Sequence, residues 1–373
     1  MPTNGFVGKK GGKALTFSAK AQQMAPPKVS IIIPCRNEAR YIRSVVDSVL
    51  SSDAPKGGME IIVVDGMSND GTREILAEYQ RKYPEMLRVL DNPKHVVPSS
   101  MNIGIRAARG EIIVRLDAHA YYEKDYLAQC VEWLERSGAD NVGGTCLVEP
   151  TEDTVMDRAL ARSIGHPFGS GDAHHKTSQS LEPRYVDTVA FGCFRKELFD
   201  RIGCFREDMA RSQDMEFNIR LRKRGGKILW VPQIKSRYQA RSGLRRIVPY
   251  YFSNGFWVLF PLKFGVMAFR PRHLVPFAFV AWLLATALLS PWFSWSRIGL
   301  LSGAAAYGCA ALVAAIHVAA AERRIEYVFT LPPAFFLLHA IHGIGTGYAG
   351  LCLVLERVLP KGIFRKETPT QRV

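Results

Sequence analysis

The chain has 373 residues, of which 47% are hydrophobic and 22% charged, and its formal net charge is +15. This length accommodates one large α/β domain and a further region, and the positive charge suits an anionic partner such as a phosphate-bearing substrate or a lipid surface. Seven cysteines without a C-x-x-C pair argue against a disulfide framework or a structural zinc site. The sequence has no zinc-finger spacing and no RNA-recognition pattern, so no nucleic-acid partner is expected.

The chain begins with a polar segment and then alternates apolar runs with helical patterns. Residues 1–27 are rich in Gly, Lys and Ala without an apolar core of signal-peptide length, so they are predicted to be a disordered basic leader. The apolar run 29–34 predicts a first buried parallel strand, and residues 39–51 have the periodicity of a helix. A second strand, 60–64, ends in a loop dense in turn formers and helix-capping residues, 65–72.

The alternation of strands and helices continues through the next forty residues. Helices are predicted at residues 72–83 and 98–108, with a strand at 87–90 between them. The β-branched run 112–114 predicts a central strand that is buried on both faces. This pattern indicates a doubly wound sheet with right-handed crossovers, in which ligands bind at the carboxyl ends of the strands. Neither G-x-G-x-x-G nor G-x-x-x-x-G-K-[ST] is present, so a dinucleotide-binding Rossmann domain and a P-loop are both disfavoured.

Acidic residues follow three of the predicted strands, at Glu38, Asp65 and Asp117. Strand-end carboxylates can accept hydrogen bonds from a base or a ribose, or bind a metal that neutralises a diphosphate. Asp117 and His119 project to the same side of an extended chain because they are two residues apart. The simpler alternatives are a charge that complements a helix N-terminus and a surface histidine at an ordinary strand end.

Beyond the central strand, the patterns are less regular. A helix is predicted at residues 124–137 and a strand at 141–148. Residues 151–180 are rich in Gly and His, and are predicted to form an irregular loop that orders around substrate. A further strand at 186–194 and a helix at 196–202 are predicted to follow it.

A second stretch with potential chemistry is Arg211-Ser-Gln-Asp-Met-Glu216, which precedes an amphipathic helix at residues 217–224. Asp214 is expected near the N-terminus of that helix, where the helix dipole favours an ionised carboxylate. A carboxylate held there can act as general base on an acceptor hydroxyl. The simpler alternative is a helix cap without catalytic function.

Together these motifs resemble those of the family-2 inverting nucleotide-sugar glycosyltransferases, which have the GT-A fold. The resemblance covers about residues 29–257 and rests on six ordered motifs. The motifs lie at residues 33–38, 63–72, 102–104, 116–119, 203–207 and 213–214. Within the family, the Asp-Gly-Met-Ser loop, the Leu-Asp-Ala-His strand end and the apolar C-terminal region are similar to the subgroup that contains the succinoglycan-biosynthesis glucosyltransferases.

The resemblance implies a role for each matching residue. It assigns nucleotide-sugar binding to Pro34, Asn37, Glu38, Asp65, Asn102 and Asp117. Asp65 would face the uracil ring, and Asp117 with His119 would hold Mn²⁺ or Mg²⁺, histidine replacing the more usual second aspartate. Asp214 would be the catalytic base that deprotonates the acceptor hydroxyl as it attacks and inverts the anomeric carbon.

The sequence also departs from the family pattern. The second strand ends in Asp65-Gly66 rather than in two aspartates, and Gln213 stands where glutamate is more usual. The Gln-x-x-Arg-Trp motif of processive polysaccharide synthases is absent, and the most similar stretch is residues 251–257. These features favour the addition of one sugar over processive polymerisation.

The catalytic domain is predicted to span residues 28–236, and a basic, aromatic segment follows it. Residues 237–272 are predicted to form interfacial helices that lie on anionic headgroups. Five residues of this segment are predicted to face the diphosphate of a lipid-linked acceptor: Arg237, Arg241, Arg245, Arg246 and Trp257. The four arginines are well shaped to bind phosphate. The alternative is a basic helix that is simply solvated.

Residues 273–356 are predicted to form transmembrane helices. The apolar regions 274–292 and 299–321 are each long enough to span ~30 Å of hydrocarbon. A third region, 327–355, is interrupted by Pro332-Pro333 and several glycines, which allows one tilted span or a broken pair.

The charges that flank these regions bear on their topology. A cytoplasmic catalytic domain and two spans place Glu322-Arg323-Arg324 inside, but a third span would place the basic tail, 357–373, outside. That arrangement conflicts with the positive-inside rule. A broken or re-entrant third region that returns the tail to the cytoplasm is therefore expected.

The resulting hypothesis is a membrane-bound inverting transferase whose catalytic domain faces the cytoplasm at a bacterial inner membrane. It would add a single hexose, expected to be glucose, from a UDP-sugar to a polyprenyl-diphosphate-linked oligosaccharide in exopolysaccharide biosynthesis. One alternative is a polyprenyl-phosphate sugar synthase, in which the lipid phosphate itself attacks and no base is needed. The other is a non-catalytic nucleotide-sugar-binding assembly protein, which the joint presence of Asp65, Asp117 and Asp214 disfavours.

Overall fold

The structure is a computed structural model that describes residues 26–171, 173–177, 180–241 and 243–358. Apart from residues 26 and 27, the predicted basic leader lies outside the described residues. The same holds for the predicted basic tail, of which only residues 357 and 358 are described.

The first half of the catalytic domain alternates strands and helices as its periodicity predicts. The strands are β1 (Val29–Cys35), β2 (Met59–Asp65), β3 (Leu87–Asp91) and β4 (Ile112–Arg115). The helices between them are α1 (Ile42–Leu50), α2 (Thr72–Lys82) and α3 (Val97–Ala107). The four strands pair in parallel in the order β3-β2-β1-β4, so their carboxyl ends meet at one edge of the sheet.

Helices cover both faces of this parallel sheet, because alternate side chains of each strand point to opposite faces. On β1, Ile31 and Ile33 belong to the core that contains Val45 of α1, whereas Ile32 belongs to the core that contains Met101 of α3. All three isoleucines are fully buried. The apolar faces are thus used for packing, and the polar loops at the carboxyl edge remain for a site.

The second half of the domain adds antiparallel strands to the sheet. Its strands are β5 (Ala120–Tyr122), β6 (Asn141–Pro150), β7 (Arg184–Tyr185), β8 (Cys193–Arg195) and β9 (Ile228–Ala240). Within the described residues the sheet runs β3-β2-β1-β4-β8-β6-β9-β5, and β7 pairs with β9. Because β8 is antiparallel to both β4 and β6, the sheet is mixed. The helices of this half are α4 (Tyr126–Ser137), α5 (Val155–Ile164), α6 (Pro167–Ser170), α7 (His174–Thr177), α8 (Glu197–Ile202) and α9 (Gln213–Lys223).

The strand predicted at residues 186–194 is much shorter in the structure, where only Cys193–Arg195 is extended. Phe191 and Gly192 both have positive φ, of 63° and 94°. Two consecutive residues in this region break a ladder, because a strand requires negative φ at each residue. The turn nevertheless stays close to β4, since the Arg115 N–H donates to the Gly192 carbonyl at 3.0 Å.

The C-terminal part of the chain is helical. It consists of α10 (Leu244–Leu259), two 3₁₀ turns (Phe260–Phe264 and Pro271–Leu274), and then α11 (Val275–Leu289), α12 (Ser294–Glu322) and α13 (Glu326–Val358). Among the described residues, three helical segments are long and apolar enough to cross a membrane: Pro271–Leu289, Ser294–Glu322 and Glu326–Val358. The predicted interfacial helix therefore starts at Leu244 rather than at residue 237, because Arg237 belongs to β9.

The third apolar region is one continuous helix, so the prediction that it breaks is wrong. Pro332 and Pro333 lie in the second turn of α13. Each removes one backbone hydrogen bond, a loss that helices at membrane depth tolerate when neighbouring elements pack around them. Here the adjacent Ala334 and Phe335 are buried against other helices.

The described residues between 151 and 180 do not form the predicted irregular loop, because they include the helices α5, α6 and α7. Helix α5 begins at Thr154, whose hydroxyl accepts the Asp157 N–H at 3.1 Å. Its buried face, which includes Leu160 and Ile164, packs in one cluster with residues of α12 and α13. The sequence pattern is misleading here because the apolar partners of α5 on α12 and α13 lie more than 140 residues farther along the chain. This segment therefore joins the catalytic domain to the apolar helices.

Candidate active site

Arg115, the last residue of β4, lies between the two carboxylates that the sequence singled out. Its Nε donates to Asp117 Oδ1 at 3.0 Å, and its Nη1 donates to Asp214 Oδ1. The Arg115 side chain is 7% exposed, whereas those of Asp117 and Asp214 are 23% and 45% exposed. A buried guanidinium thus connects the end of β4 to the first turn of α9, and both carboxylates remain accessible from solvent.

The surroundings of Asp214 adjust its affinity for a proton. Partial burial and the neighbouring charge of Asp117 raise the pKa of Asp214 above the usual aspartate range, and together they outweigh the opposing attraction of Arg115. For Arg115, burial would lower the pKa, but the charges of Asp117 and Asp214 raise it, so the guanidinium remains a cation. A carboxylate with an elevated pKa in the first turn of a helix is suited to accept a proton.

His119 and Glu38 face each other at the same edge of the sheet. His119 Nδ1 lies 3.0 Å from Glu38 Oε1, and the imidazole contacts the ring of Tyr238 edge-on, with centroids 5.5 Å apart. Burial would lower the pKa of His119, but the hydrogen bond to Glu38 and the charge of Asp117 raise it overall. Glu38 therefore orients the imidazole.

The expected metal ligands, Asp117 and His119, provide a small donor set. Within the described residues, Asp117 Oδ2 and His119 Nε2 form no hydrogen bond and so are free to bind a cation. The same part of the chain contains no group of three or more His, Cys, Asp or Glu side chains placed to hold a metal ion. One carboxylate oxygen and one imidazole nitrogen are ligands that Mn²⁺ accepts, and Mg²⁺ commonly takes one or two protein ligands with substrate phosphates. The residues therefore fit a cation whose coordination is completed by substrate, and they do not form an all-protein cage.

Asp65, which was predicted to face a uracil ring, lies at the carboxyl end of β2. It is fully buried, and its Oδ2 accepts hydrogen bonds from the Ser68 N–H at 3.0 Å and from Arg73 at 2.9 Å. The Ser68 hydroxyl donates to the other oxygen at 2.5 Å. A buried carboxylate requires such partners, and here they come from the following loop and from α2. Asp65 thus shapes the loop after β2, and its contact with a base stays a prediction.

The other residues predicted at the first loop form its framework. Pro34 is paired with Val64 inside the sheet. Asn37 has a φ of 56°, and its side-chain oxygen accepts the Asn69 N–H at 3.0 Å. The Glu38 N–H donates to Thr72 Oγ1 at 2.9 Å. The loops after β1 and β2 are therefore hydrogen-bonded into a single wall of the site.

Asn102 connects α3 to a remote loop. Its side-chain oxygen accepts the Phe205 N–H at 3.0 Å, and its amide donates to the Phe205 carbonyl at 2.8 Å and to Glu207 at 2.9 Å. The residue is buried in α3 and uses its hydrogen-bonding groups on this loop. It positions the chain that leads to Asp214, and its role in nucleotide binding stays a prediction.

The five residues predicted to bind a lipid diphosphate are not brought together. Arg237 lies on β9 and forms ion pairs with Glu123 at 3.2 Å and Glu149 at 3.1 Å. Trp257 is 1% exposed and packs edge-on against Phe260, because the apolar residues of α10 are covered by α13.

The remaining three arginines differ in their surroundings. Arg245 and Arg246 are exposed in the first turn of α10. Arg241 follows β9 directly and stacks on Tyr250 of α10, with its guanidinium carbon 4.8 Å from the ring centroid. Of the five residues predicted to bind the lipid diphosphate, Arg241 alone belongs to a cluster of cations.

This cation cluster, formed by Lys176, Arg211 and Arg241, surrounds Tyr250. The guanidinium carbon of Arg211 lies 4.7 Å from the tyrosine ring centroid. Burial would raise the pKa of Tyr250, but Lys176 and the two arginines lower it overall. Burial itself lowers the pKa of Arg211, and repulsion from Arg241 adds to this. Among the described residues no carboxylate forms an ion pair with any of the three cations, so the cluster is an uncompensated positive charge.

The cation cluster is continuous with the carboxylates. Tyr238 interacts electrostatically with Tyr250 on one side and contacts the ring of His119 on the other. Sequence reasoning missed Arg115, although a single charged residue at the end of an apolar strand two positions before Asp117 was a usable signal. It also missed the cluster, because Lys176 lies in the segment that was predicted to be irregular.

Comparisons with known proteins agree with this geometry. Residues 30–203 match Glycosyl transferase family 2. The dolichyl N-acetyl-alpha-D-glucosaminyl phosphate 3-beta-D-2,3-diacetamido-2,3-dideoxy-beta-D-glucuronosyltransferase of Methanococcus voltae is 28% identical over 324 residues, which cover 85% of this chain and 95% of that protein. The succinoglycan biosynthesis protein ExoA of Rhizobium meliloti (strain 1021) is 29% identical over 227 residues, 60% of this chain and 67% of that protein.

A solved structure shares the fold. The mannosyltransferase PcManGT from Pyrobaculum calidifontis, in complex with GDP-Man and Mn²⁺, superposes with a TM-score of 0.53 at 21% sequence identity, over 86% of this chain and 88% of that one. The mixed sheet therefore has the GT-A fold, as expected, and it is followed by helices long and apolar enough to span a membrane. The chain carries a family-2 glycosyltransferase domain at residues 30–203, and its apolar helices indicate that it is membrane-associated.

Proposed function

We propose that this protein is an inverting transferase that moves a single hexose, expected to be glucose, from a UDP-sugar to a polyprenyl-diphosphate-linked oligosaccharide in exopolysaccharide biosynthesis. Its site of action would be the cytoplasmic face of a bacterial inner membrane. The observation that carries this proposal is the position of Asp214, an accessible carboxylate connected through Arg115 to Asp117 and adjacent to an uncompensated cluster of cations.

In the proposed reaction the acceptor hydroxyl attacks the anomeric carbon from the face opposite to the diphosphate. A bond forms between the acceptor oxygen and that carbon, the bond from the carbon to the diphosphate oxygen breaks, and UDP leaves. Asp214 accepts the hydroxyl proton, and Arg115 keeps its carboxylate in place between transfers. A divalent cation held by Asp117 and His119 would supply charge neutralisation at the diphosphate.

The cation cluster suits the phosphate of the lipid-linked acceptor. Arginine and lysine bind phosphate through charge-assisted hydrogen bonds, and the cluster packs on α10, which contacts the apolar helices. The Methanococcus relative is named for its action on a dolichyl-linked sugar phosphate. A saccharide attached to a membrane lipid could thus present its hydroxyl at Asp214 while its phosphate binds Lys176, Arg211 and Arg241.

Substitution of the two arginines tests this assignment of the acceptor site. Arg211→Gln and Arg241→Gln are each expected to raise the KM for the lipid-linked acceptor about tenfold or more, because each removes a charge-assisted contact to phosphate. The affinity for UDP, measured by calorimetry, should stay unchanged. Arg237→Gln is the matched control, since Arg237 is already paired with Glu123 and Glu149. Equal losses of UDP affinity and acceptor affinity would instead assign the cluster to the donor.

The proposed function is tested by donor turnover in membranes that contain the protein. A panel of UDP- and GDP-sugars would be supplied with lipid-linked oligosaccharide, with Mn²⁺, with Mg²⁺ or with a chelator. Metal-dependent transfer of one hexose from a UDP-sugar is expected, and the active sugar would identify the donor. Transfer to bare polyprenyl phosphate would establish the synthase alternative. UDP binding without transfer to any acceptor would favour a non-catalytic protein.

A further inference from the structure

Helix α13 contacts the catalytic domain and its associated helices along its entire length. In its first half, Leu331 and Phe335 pack in one cluster with Leu160 of α5. In its second half, Thr346 Oγ1 donates to the Gly255 carbonyl of α10 at 2.9 Å. Farther on, Ala349 packs in the cluster that contains Trp257. No part of this helix extends away from the domain on its own.

Both ends of α13 form ion pairs with elements that precede the first apolar segment. At its start, Glu326 lies 3.8 Å from Arg158 of α5. Near its end, Glu356 lies 2.5 Å from Lys263. The residues that follow Lys263 are also attached to the catalytic domain, since Arg272 pairs with Asp187 at 2.7 Å.

These contacts conflict with a third crossing of the membrane. A helix of 33 residues is about 50 Å long, and a crossing of ~30 Å of hydrocarbon would carry one end far from the domain. Instead, the two ends remain with Arg158 and Lys263, which both come before the first apolar segment in the chain. The length of α13 therefore runs along the domain.

The side of α13 that faces away from the protein is a continuous apolar stripe. Its large exposed residues recur at intervals of three, four, seven or eight positions, which places them on one face of a helix. They are Phe329, Phe336, Ile344, Tyr348, Leu351, Val354 and Val358. Protein covers one side of α13 and an uncharged surface forms the other, which is the arrangement of a helix embedded in the plane of a membrane surface.

Helices α11 and α12 form a hairpin. The second half of α12 packs with α5 and α13, but among the described residues the tip of the hairpin has no ion pair to the catalytic domain, unlike either end of α13. Ser296 Oγ donates to the Thr286 carbonyl at 2.7 Å near the tip. The tip exposes Trp292, Trp295 and Arg297, and tryptophan and arginine are typical of the membrane–water interface. The hairpin is therefore suited to reach the far interface and to return.

We infer that α11 and α12 cross the bilayer as a hairpin, whereas α13 returns to lie along the lipid surface that faces the catalytic domain. Val358 is then on the same side of the membrane as that domain, and the apolar stripe of α13 contacts acyl chains. The sequence that follows Val358 is basic and includes Lys361, Arg365 and Lys366. This placement satisfies the positive-inside rule without a break in the third apolar region, and it does not depend on the sugar or the acceptor.

Side-specific labelling of single cysteines tests this topology in the full chain. The cysteines that are not fully buried, Cys204, Cys309 and Cys352, would be replaced by alanine, and a cysteine would be introduced as Arg357→Cys, Ser294→Cys or Glu152→Cys. All three sites are exposed, and none belongs to the apolar stripe of α13. In oriented vesicles, a membrane-impermeant maleimide is expected to label positions 357 and 152 from one side and position 294 from the other. Labelling of 357 from the same side as 294 would overturn the inference.

Chemical cross-linking provides a second readout that is independent of vesicle orientation. In the same background, the double variant Lys263→Cys with Glu356→Cys is expected to be joined by a short bis-maleimide, because the tips of the native side chains are in contact and the linker replaces the length that cysteine lacks. The pair Lys263→Cys with Ser294→Cys is the control and should not cross-link. Cross-linking of the control pair alone would place the end of α13 away from Lys263 and contradict the inference.

Discussion

Replacement of Asp214 with asparagine is expected to reduce the turnover of hexose transfer about 10²–10⁴-fold, the usual contribution of a positioned general base. The amide is nearly isosteric with the carboxylate and can still contact Arg115, but it cannot accept the proton of the acceptor hydroxyl. Donor binding should remain within about twofold of the wild type, because Asp214 contacts Arg115 and not the loops that form the nucleotide wall. Turnover would be measured with the donor and acceptor identified from the panel, and UDP affinity by calorimetry.

Asp208→Asn is the matched control for this variant. Asp208 lies on the preceding loop, is exposed and pairs with Arg206 at 2.5 Å, so its substitution should leave turnover unchanged. Full activity of Asp214→Asn toward a hydroxyl acceptor would show that Asp214 is not the base. Full activity toward bare polyprenyl phosphate would instead favour the synthase alternative, since a phosphate nucleophile needs no base.

Substitution of Arg115 with alanine is expected to affect both stability and turnover. The variant leaves Asp117 and Asp214 without their shared counter-charge, and the loss of one partner from a buried ion pair typically costs about 3–5 kcal/mol. Because both carboxylates are partly exposed, we expect a loss near the lower end, about 3 kcal/mol. Thermal unfolding in detergent should show a midpoint lowered by several degrees, and turnover should fall because Asp214 is no longer held in place.

Arg115→Lys separates these two effects. Lysine retains the positive charge but cannot reproduce the planar fork that bonds two carboxylates at once, so most of the stability should return while turnover stays low. Arg136→Ala is the control, because Arg136 is an exposed arginine whose pair with Glu132 lies on the surface of α4. Its effect on stability should be within about 0.5 kcal/mol. An unfolding midpoint for Arg115→Ala equal to that of the control would contradict a structural role for Arg115.

Local patterns in the sequence determined the parallel half of the sheet and the placement of its polar loops. The strands β1, β2 and β4 are short runs of buried Ile and Val, and turn residues follow them directly. Hydrophobic periodicity and turn chemistry act over a few residues, so they can be read without knowledge of distant partners. The same local reading placed Asp117 at a strand end and Asp214 in the first turn of a helix, where the structure has them.

Tertiary structure alone decided which polar side chains face the site and how the apolar helices are arranged. Asp65 and Asn102 matched the expected motifs, yet both use their hydrogen-bonding groups on protein partners, and for Asn102 these partners lie about 100 residues away. The partners of α5 and α13 are equally remote in the sequence. A buried polar or apolar group is stabilised by whatever the fold brings against it. Composition could therefore predict that α13 is apolar, but only its contacts show that it runs along the catalytic domain.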